Sequence, residues 1–151
     1  MARMHARKKG KSSSTKPYVT ENPKWVTQKP KEIEKLVLEL HNEGNTSAMI
    51  GLRLRDQYAI PNVKLATGKS VTAILKENDI QSKFPEDITN LMRKAIDLHS
   101  HLKDNPRDLH NLRSVHLTEA KIRRLAKYYK KNGVLPEDWN YSPASAELEI
   151  K

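Results

Sequence analysis

Apolar positions along this chain recur at helical spacing in five places and nowhere alternate as a strand would. After Pro30, which suits a first helical turn, Ile33, Leu36, Val37 and Leu40 share one face until Gly44 ends the run. Asn45 or Thr46 caps a second helix that turns Ile50, Leu54 and Tyr58 inward and stops before Pro61. A loop containing Gly68 leads to a short third helix over 71–78. Pro85 and two acids open a fourth, whose stripe is Ile88, Leu91, Ala95, Leu98 and Leu102. Residues 105–108, Asn-Pro-Arg-Asp, are a turn, and a fifth helix runs from Leu109 to Lys131 and stops at Asn132-Gly133. The pattern predicts an all-α fold: a bundle or hairpin of long antiparallel helices, preceded by a small N-terminal helical subdomain and a basic extended arm. The boundaries expected are 1–29 for the arm, 30–80 for the helical extension, 84–133 for the core, and 134–151 for an irregular tail that wraps or dangles.

Charge changes this picture from a fold into a partner. Residues 1–31 hold nine Lys/Arg against Glu21 alone, a net +8. Residues 32–106 hold ten basic and eleven acidic residues, residues 107–131 eight basic and two acidic, and residues 132–151 one basic and four acidic. The net charge of +10 is thus segregated into an arm and one helix, where a solubility device would spread it. Such segregation points to a polyanion, and nucleic acid is the commonest. The arm, with Arg3, His5, Arg7, Lys8, Lys9 and Lys11, has no large apolar groups before Tyr18 except two methionines and orders only on a partner. Trp25 is where it first docks on the body. The absence of cysteine excludes disulfides and thiolate chemistry. With no apolar run of about 18 residues and no secretory core, the reading is a soluble, intracellular protein.

On the fifth helix, Val115, Ile122, Ala126 and Tyr129 form a narrow stripe with Leu112 and Leu125 at its edges. Opposite lie Arg113, Arg124, Lys127 and Lys131, flanked by Arg123 and His116, as a basic ridge about six turns long. A solvated charged face has the same spacing, but only Asp108 and Glu119 offset eight basic residues, so the ridge repels itself until something neutralises it. Tyr128 adds stacking surface of the kind RNA proteins use. The preceding turn gathers His101, Asp108, His110 and Asn111, which can bond a base edge or a 2′-hydroxyl. Spacing alone leaves a second reading open there, in which Asp104 or Asn105 caps a helix beginning at Pro106 and the histidines are surface residues.

Other chemistries fail on spacing. Thr67-Gly68-Lys69-Ser70 lacks the glycine of a phosphate loop, since Val63 stands five residues before Gly68. The six histidines include no HExxH pattern and no Asp/Glu/His set with metal-site spacing, and no elbow presents a nucleophile, so neither cofactor, metal, small-molecule substrate nor enzymatic activity is expected. A DNA-reading pair formed by the second and third helices, with Lys69, Ser70 and Lys76 in the groove, needs a far shorter link than 57–68. A protein-interaction module with its arm on acidic neighbours is the other rival.

Residues 88–133, ITNLMRKAIDLHSHLKDNPRDLHNLRSVHLTEAKIRRLAKYYKKNG, resemble the helical core of the small-subunit ribosomal protein fifteen family. The marks are a His-containing helix end, a charged turn with Asp, a His plus a small polar residue, and a long Arg-rich helix ending in a Tyr-Lys run. ARMHARKKGKS, PKWV, IGLRLRDQYAIPNVKLATGKSVTAIL and VLPEDWNY resemble the archaeal and eukaryotic branch along almost the whole chain, and the composition suggests an archaeal member. The resemblance implies a structural protein of the small subunit that binds the central domain of its rRNA at a three-way junction. It implies neighbouring small-subunit proteins as partners and a large-subunit rRNA contact at the subunit interface. It decides the open question at the turn in favour of RNA. The turn contact falls on His101, Asp108 and Asn111 with His110 adjacent, and the junction contact on Arg123, Arg124 and Tyr128. Two departures stand out: Asn111 replaces a frequent Ser, and residues 80–87 replace a bacterial Asp-Thr-Gly-Ser loop, so no loop contact is carried over.

Overall fold

The computed structural model describes residues 10, 12, 15, 17–80 and 83–150. Arg3, His5, Arg7, Lys8, Lys9 and Lys11 lie outside them. Every regular element among the described residues is helical: α1 (Pro30–Asn42), α2 (Ser47–Asp56), α3 (Val63–Thr67), α4 (Val71–Glu77), α5 (Glu86–Asp104), α6 (Leu109–Lys131) and α7 (Pro143–Ile150). They sort into two compact units, one drawn from Lys11–Ser82 and the other from Lys83–Lys151, each with its own buried apolar cluster.

In the N-terminal unit α1 starts where Pro30 needs no backbone donor, and Glu32 reaches back to accept from the Lys29 N–H at 3.0 Å. It ends because Gly44 takes φ +86°, a left-handed conformation that glycine adopts without a Cβ clash. Thr46 caps α2, its hydroxyl accepting from the Met49 N–H. The core is Ile33, Val37 and Leu40 of α1 against Ile50, Leu54, Ile60, Val63, Ile74 and Leu75. Val26 packs on it, while the neighbouring Trp25 stays exposed and donates its indole N–H to the Ala59 carbonyl at 3.3 Å. The segment expected to be a plain loop holds the five-residue α3. It closes on itself through the Thr67 hydroxyl, which donates to the Val63 carbonyl at 2.9 Å.

In the second unit α5 and α6 form the expected antiparallel hairpin. Glu86 and Asp87 occupy the first turn of α5, and Pro85 stands just ahead as its cap residue. The Tyr129 hydroxyl donates to both Asp87 oxygens, 2.9 and 2.8 Å away, which fastens the end of α6 to the start of α5. Ile88, Met92 and Ala95 pack against Ile122 and Leu125. Met92 is fully buried, while Leu91, Leu98 and Leu102 are only half-buried.

The irregular tail expected for 134–151 is corrected. Leu135 and Trp139 fold back onto the hairpin, and α7 docks against α5 through the buried Ala146. The tail is a third layer over the near end. Its start is set by Ser142 and Ser145, whose side chains cap each other's backbone: the Ser145 N–H donates to Ser142 Oγ at 3.1 Å and the Ser142 N–H to Ser145 Oγ at 3.3 Å. Trp139 lies 5.6 Å from Phe84, centroid to centroid, and donates to Glu149, which also pairs with Lys83 at 3.2 Å.

Candidate nucleic-acid interface

The corner between α5 and α6 is built by helix termini. The residue that caps α6 is Asp108, neither Asp104 nor Asn105, and α6 begins at Leu109 rather than at Pro106. Asp108 Oδ1 accepts from the Asn111 backbone N–H at 3.0 Å, as an N-cap must. Its Oδ2 accepts from the Asn111 amide at 2.7 Å and faces His101 Nε2 at 3.0 Å. Donors from the Asn111 backbone, His101 and the Asn111 side chain, in that order, hold the Asp108 carboxyl well below the usual carboxylate range, at about 2. An ionised carboxylate only accepts, so His101 must carry its proton on Nε2. The other ring nitrogen, Nδ1, lies 3.4 Å from the Asn105 amide, which also donates to the His101 carbonyl at 3.1 Å. His101, Asp108 and Asn111 are therefore one locked unit, with the amide oxygen of Asn111 left over for an outside donor. His110 is exposed beside them and Leu109 is 74% exposed, so the corner opens onto solvent.

Along α6, Arg113, Lys127 and Lys131 are exposed and, among the described residues, are in no ion pair. Arg124 is half-buried, its Nε donating to the Ala120 carbonyl at 3.2 Å, which lays the stem along the helix. Tyr128 meets Tyr129 edge-on at 5.3 Å and keeps part of its ring exposed. Neither acid of the segment relieves these cations. Asp108 is committed to the corner, and Glu119 is buried at 8% exposure. Its Oε2 accepts from Arg123 Nη2 at 3.0 Å and its Oε1 lies 3.1 Å from His99 Nε2. By sequence alone Glu119 counts as one of two acids offsetting the ridge; its burial is a tertiary fact. Lys130, off the ridge, donates to Asn140 Oδ1 at 3.2 Å. The residues from the sequence thus fall into a polar corner (His101 at the end of α5, Asp108 capping α6, His110 and Asn111 in its first turn) and a basic face further along α6 (Arg113, Arg123, Arg124, Lys127, Tyr128, Lys131).

The rival features are used internally. Gly68, at φ +77°, terminates α3, and the Ser70 hydroxyl caps α4 by accepting from Ala73 N–H. Lys69 pairs with Glu77 and Glu34, so two of the three groups a DNA-reading helix would use are already occupied. No described helix is long and apolar enough to cross a membrane, and the described residues hold no cluster of three or more potential metal ligands.

Residues 1–60 match the family description "Ribosomal S13/S15 N-terminal domain", and residues 71–149 match "Ribosomal protein S15". The chain is similar to proteins named small ribosomal subunit protein uS15 from three archaea. Identity is 53% over 150 residues for Methanocella arvoryzae, covering 99% of each chain. For Methanococcus vannielii it is 52% over 151 residues and 100% of each, and for Methanococcoides burtonii 53% over 150 residues and 99% of each.

Proposed function

Because the chain belongs to the ribosomal protein S15 family, we propose that it serves the small ribosomal subunit as a structural protein that grips folded rRNA and makes or breaks no covalent bond. The ridge binds phosphates and releases their counterions, which gives affinity and a steep salt dependence. The corner supplies register. In A-form RNA the wide minor groove displays 2′-hydroxyls and base edges, and the Asn111 amide oxygen offers an acceptor to a hydroxyl or a guanine amino group. Arg123, Arg124 and Tyr128, roughly three to five turns further along α6, bear on a second strand segment.

The specific target is a three-way junction in the central domain of the small-subunit rRNA. Binding one arrangement of its arms better than the others shifts the population toward it. The arm residues Arg3, His5, Arg7, Lys8, Lys9 and Lys11 extend the same electrostatic grip. Neighbouring small-subunit proteins and a large-subunit rRNA contact complete the partners, with the cytoplasmic ribosome as the site of action. The observation that carries the reading is the locked corner at the start of α6, the helix that also bears Arg113, Lys127 and Lys131, which among the described residues are in no ion pair: the polar groups are fixed before any ligand arrives, so little order need be bought at binding.

The experiment is a salt series of affinity for a small-subunit rRNA three-way-junction fragment, against an equally long plain RNA duplex. Junction preference that persists while total affinity falls with salt is the expected result. Equal affinity for the two RNAs overturns it in favour of a generic basic binder, and a preference for duplex DNA overturns it in favour of a DNA regulator.

A further inference from the structure

Glu119 is unusual among the acids of this chain, because Thr118 and Glu119 are the two buried polar or charged residues among those described. A carboxylate out of water is costly unless both oxygens are satisfied. Here they are divided between two helices: Oε1 lies 3.1 Å from His99 Nε2 on α5, and Oε2 accepts from Arg123 Nη2 at 3.0 Å, one turn further along α6. Tyr141, from the segment folded back over the hairpin, lies close by: burial, first, and Glu119 raise the pKa of its hydroxyl, while Arg123 lowers it. Among the described residues that buried hydroxyl has no hydrogen-bond partner.

The two ends of the chain of contacts differ. The Glu119 side chain is 11% exposed and that of Arg123 is 61% exposed. A pair built only to join α5 to α6 is complete with His99 and needs no arginine reaching into solvent. The pair holds one edge of a guanidinium that has five N–H donors, and leaves the remainder for a ligand. A long side chain that is free in the unbound protein loses rotamer freedom on binding, and a fixed one has already lost it.

We propose that Glu119 is a positioning residue for rRNA: anchored by His99, it sets the Arg123 guanidinium for the junction and favours that RNA geometry over a plain duplex. This rests on the rRNA-binding reading above. The carboxylate itself contributes a repulsive charge toward phosphate. Its removal therefore does not weaken general RNA affinity but costs discrimination between RNAs, an effect opposite to that of losing a cation.

The test is a double-mutant cycle in the full chain: wild type, Glu119→Gln, Arg123→Ala and the double variant, each measured against the junction fragment and the plain duplex, with thermal unfolding alongside. Glu119→Gln is expected to lose ~tenfold of the junction preference, as contacting residues typically couple, while its duplex affinity holds or rises. In the double variant the two losses do not multiply. A Glu119→Gln protein with the wild-type preference, or losses that multiply, overturns the proposal. Glu119→Asp keeps the buried charge but withdraws it from Arg123 by one methylene. If Glu119→Gln is poorly folded, the same cycle run with Glu119→Asp decides, by the same two outcomes. A wild-type protein without junction preference sinks the rRNA reading itself, and this proposal with it; a wild-type preference untouched by both Glu119 variants sinks this proposal alone.

Discussion

Replacing Ile122 by Ala probes how folding and RNA binding share α6. The side chain is fully buried and lies opposite the ridge, against Ile88, Met92 and Ala95. Three carbons are lost, at about 0.8 kcal/mol each by transfer, and the cavity left behind raises the cost to about 3–4 kcal/mol. A unit of roughly 70 residues has a total stability of about 4–10 kcal/mol. The substitution thus removes a third or more of it and lowers the melting temperature by about 15–25 °C, at roughly 4–8 °C per kcal/mol for a domain of this size. Trp139 sits in this unit and Trp25 in the other, so fluorescence in a Trp25→Phe background reports on the hairpin alone. On the proposed function, junction RNA that binds only the folded chain returns about 4 kcal/mol at about 1,000 times its dissociation constant. Added RNA should therefore restore most of the lost melting temperature. Below the melting transition, junction preference should equal that of the unmodified side chain. A loss under about 5 °C would show that the hairpin is not centred on this residue. An intact fold with lost preference would refute the division of α6 into a packing face and a binding face.

Arg124→Ala is expected to weaken junction binding by about tenfold or more, as anchor arginines at interfaces do, with helicity by circular dichroism unchanged; a molten variant or unchanged affinity removes it from the interface. The Asp108 carboxyl is depressed to about 2 in the folded chain, below the ordinary ~3.9 of an unfolded one. A depressed acid stabilises fully above the unfolded value and loses that contribution as pH falls from about 4 toward 2. The stability gap between wild type and Asp108→Asn should thus close over that window in urea titrations, and a gap constant with pH would refute the locked corner. Ala146→Asp places a charge in the near-end cluster and should release α7: Trp139 emission shifts to the red while α5 and α6 keep their helicity, and an unshifted spectrum would mean that α7 does not cover that cluster.

Long amphipathic segments were legible because their periodicity spans several turns. For α6 the expected and observed bounds agree at both ends, and Gly44 and Thr46 act as the stop and start signals they resemble. The elements that escaped, α3 and α7, are too short or too weakly periodic to show a stripe: α3 is five residues, and α7 buries only Ala146. What fixes α7 is the shape of the surface it lands on, through Phe84, Trp139 and Leu135. At the corner, residue types and spacing left two readings open and the family resemblance chose between them; that resemblance agrees with archaeal relatives over the full chain. Sequence could not say that Asp108 rather than Asp104 or Asn105 is the cap, since all three precede a helix start by a plausible interval. Nor could it show that Glu119 is buried, which depends on His99 arriving from another helix.

The clamp that α7 and the folded-back segment place on the near end of the α5–α6 pair has a mechanical meaning. Past Ile96, α5 runs on for about 12 Å, at ~1.5 Å per residue, with half-buried leucines and the His99–Glu119 contact as cross-bracing. A beam held at one end yields most at the other. In the proposed interface the locked corner can therefore keep its internal geometry while the beam bends to bring it to the groove, so stiffness resides in the contact and compliance in its mounting.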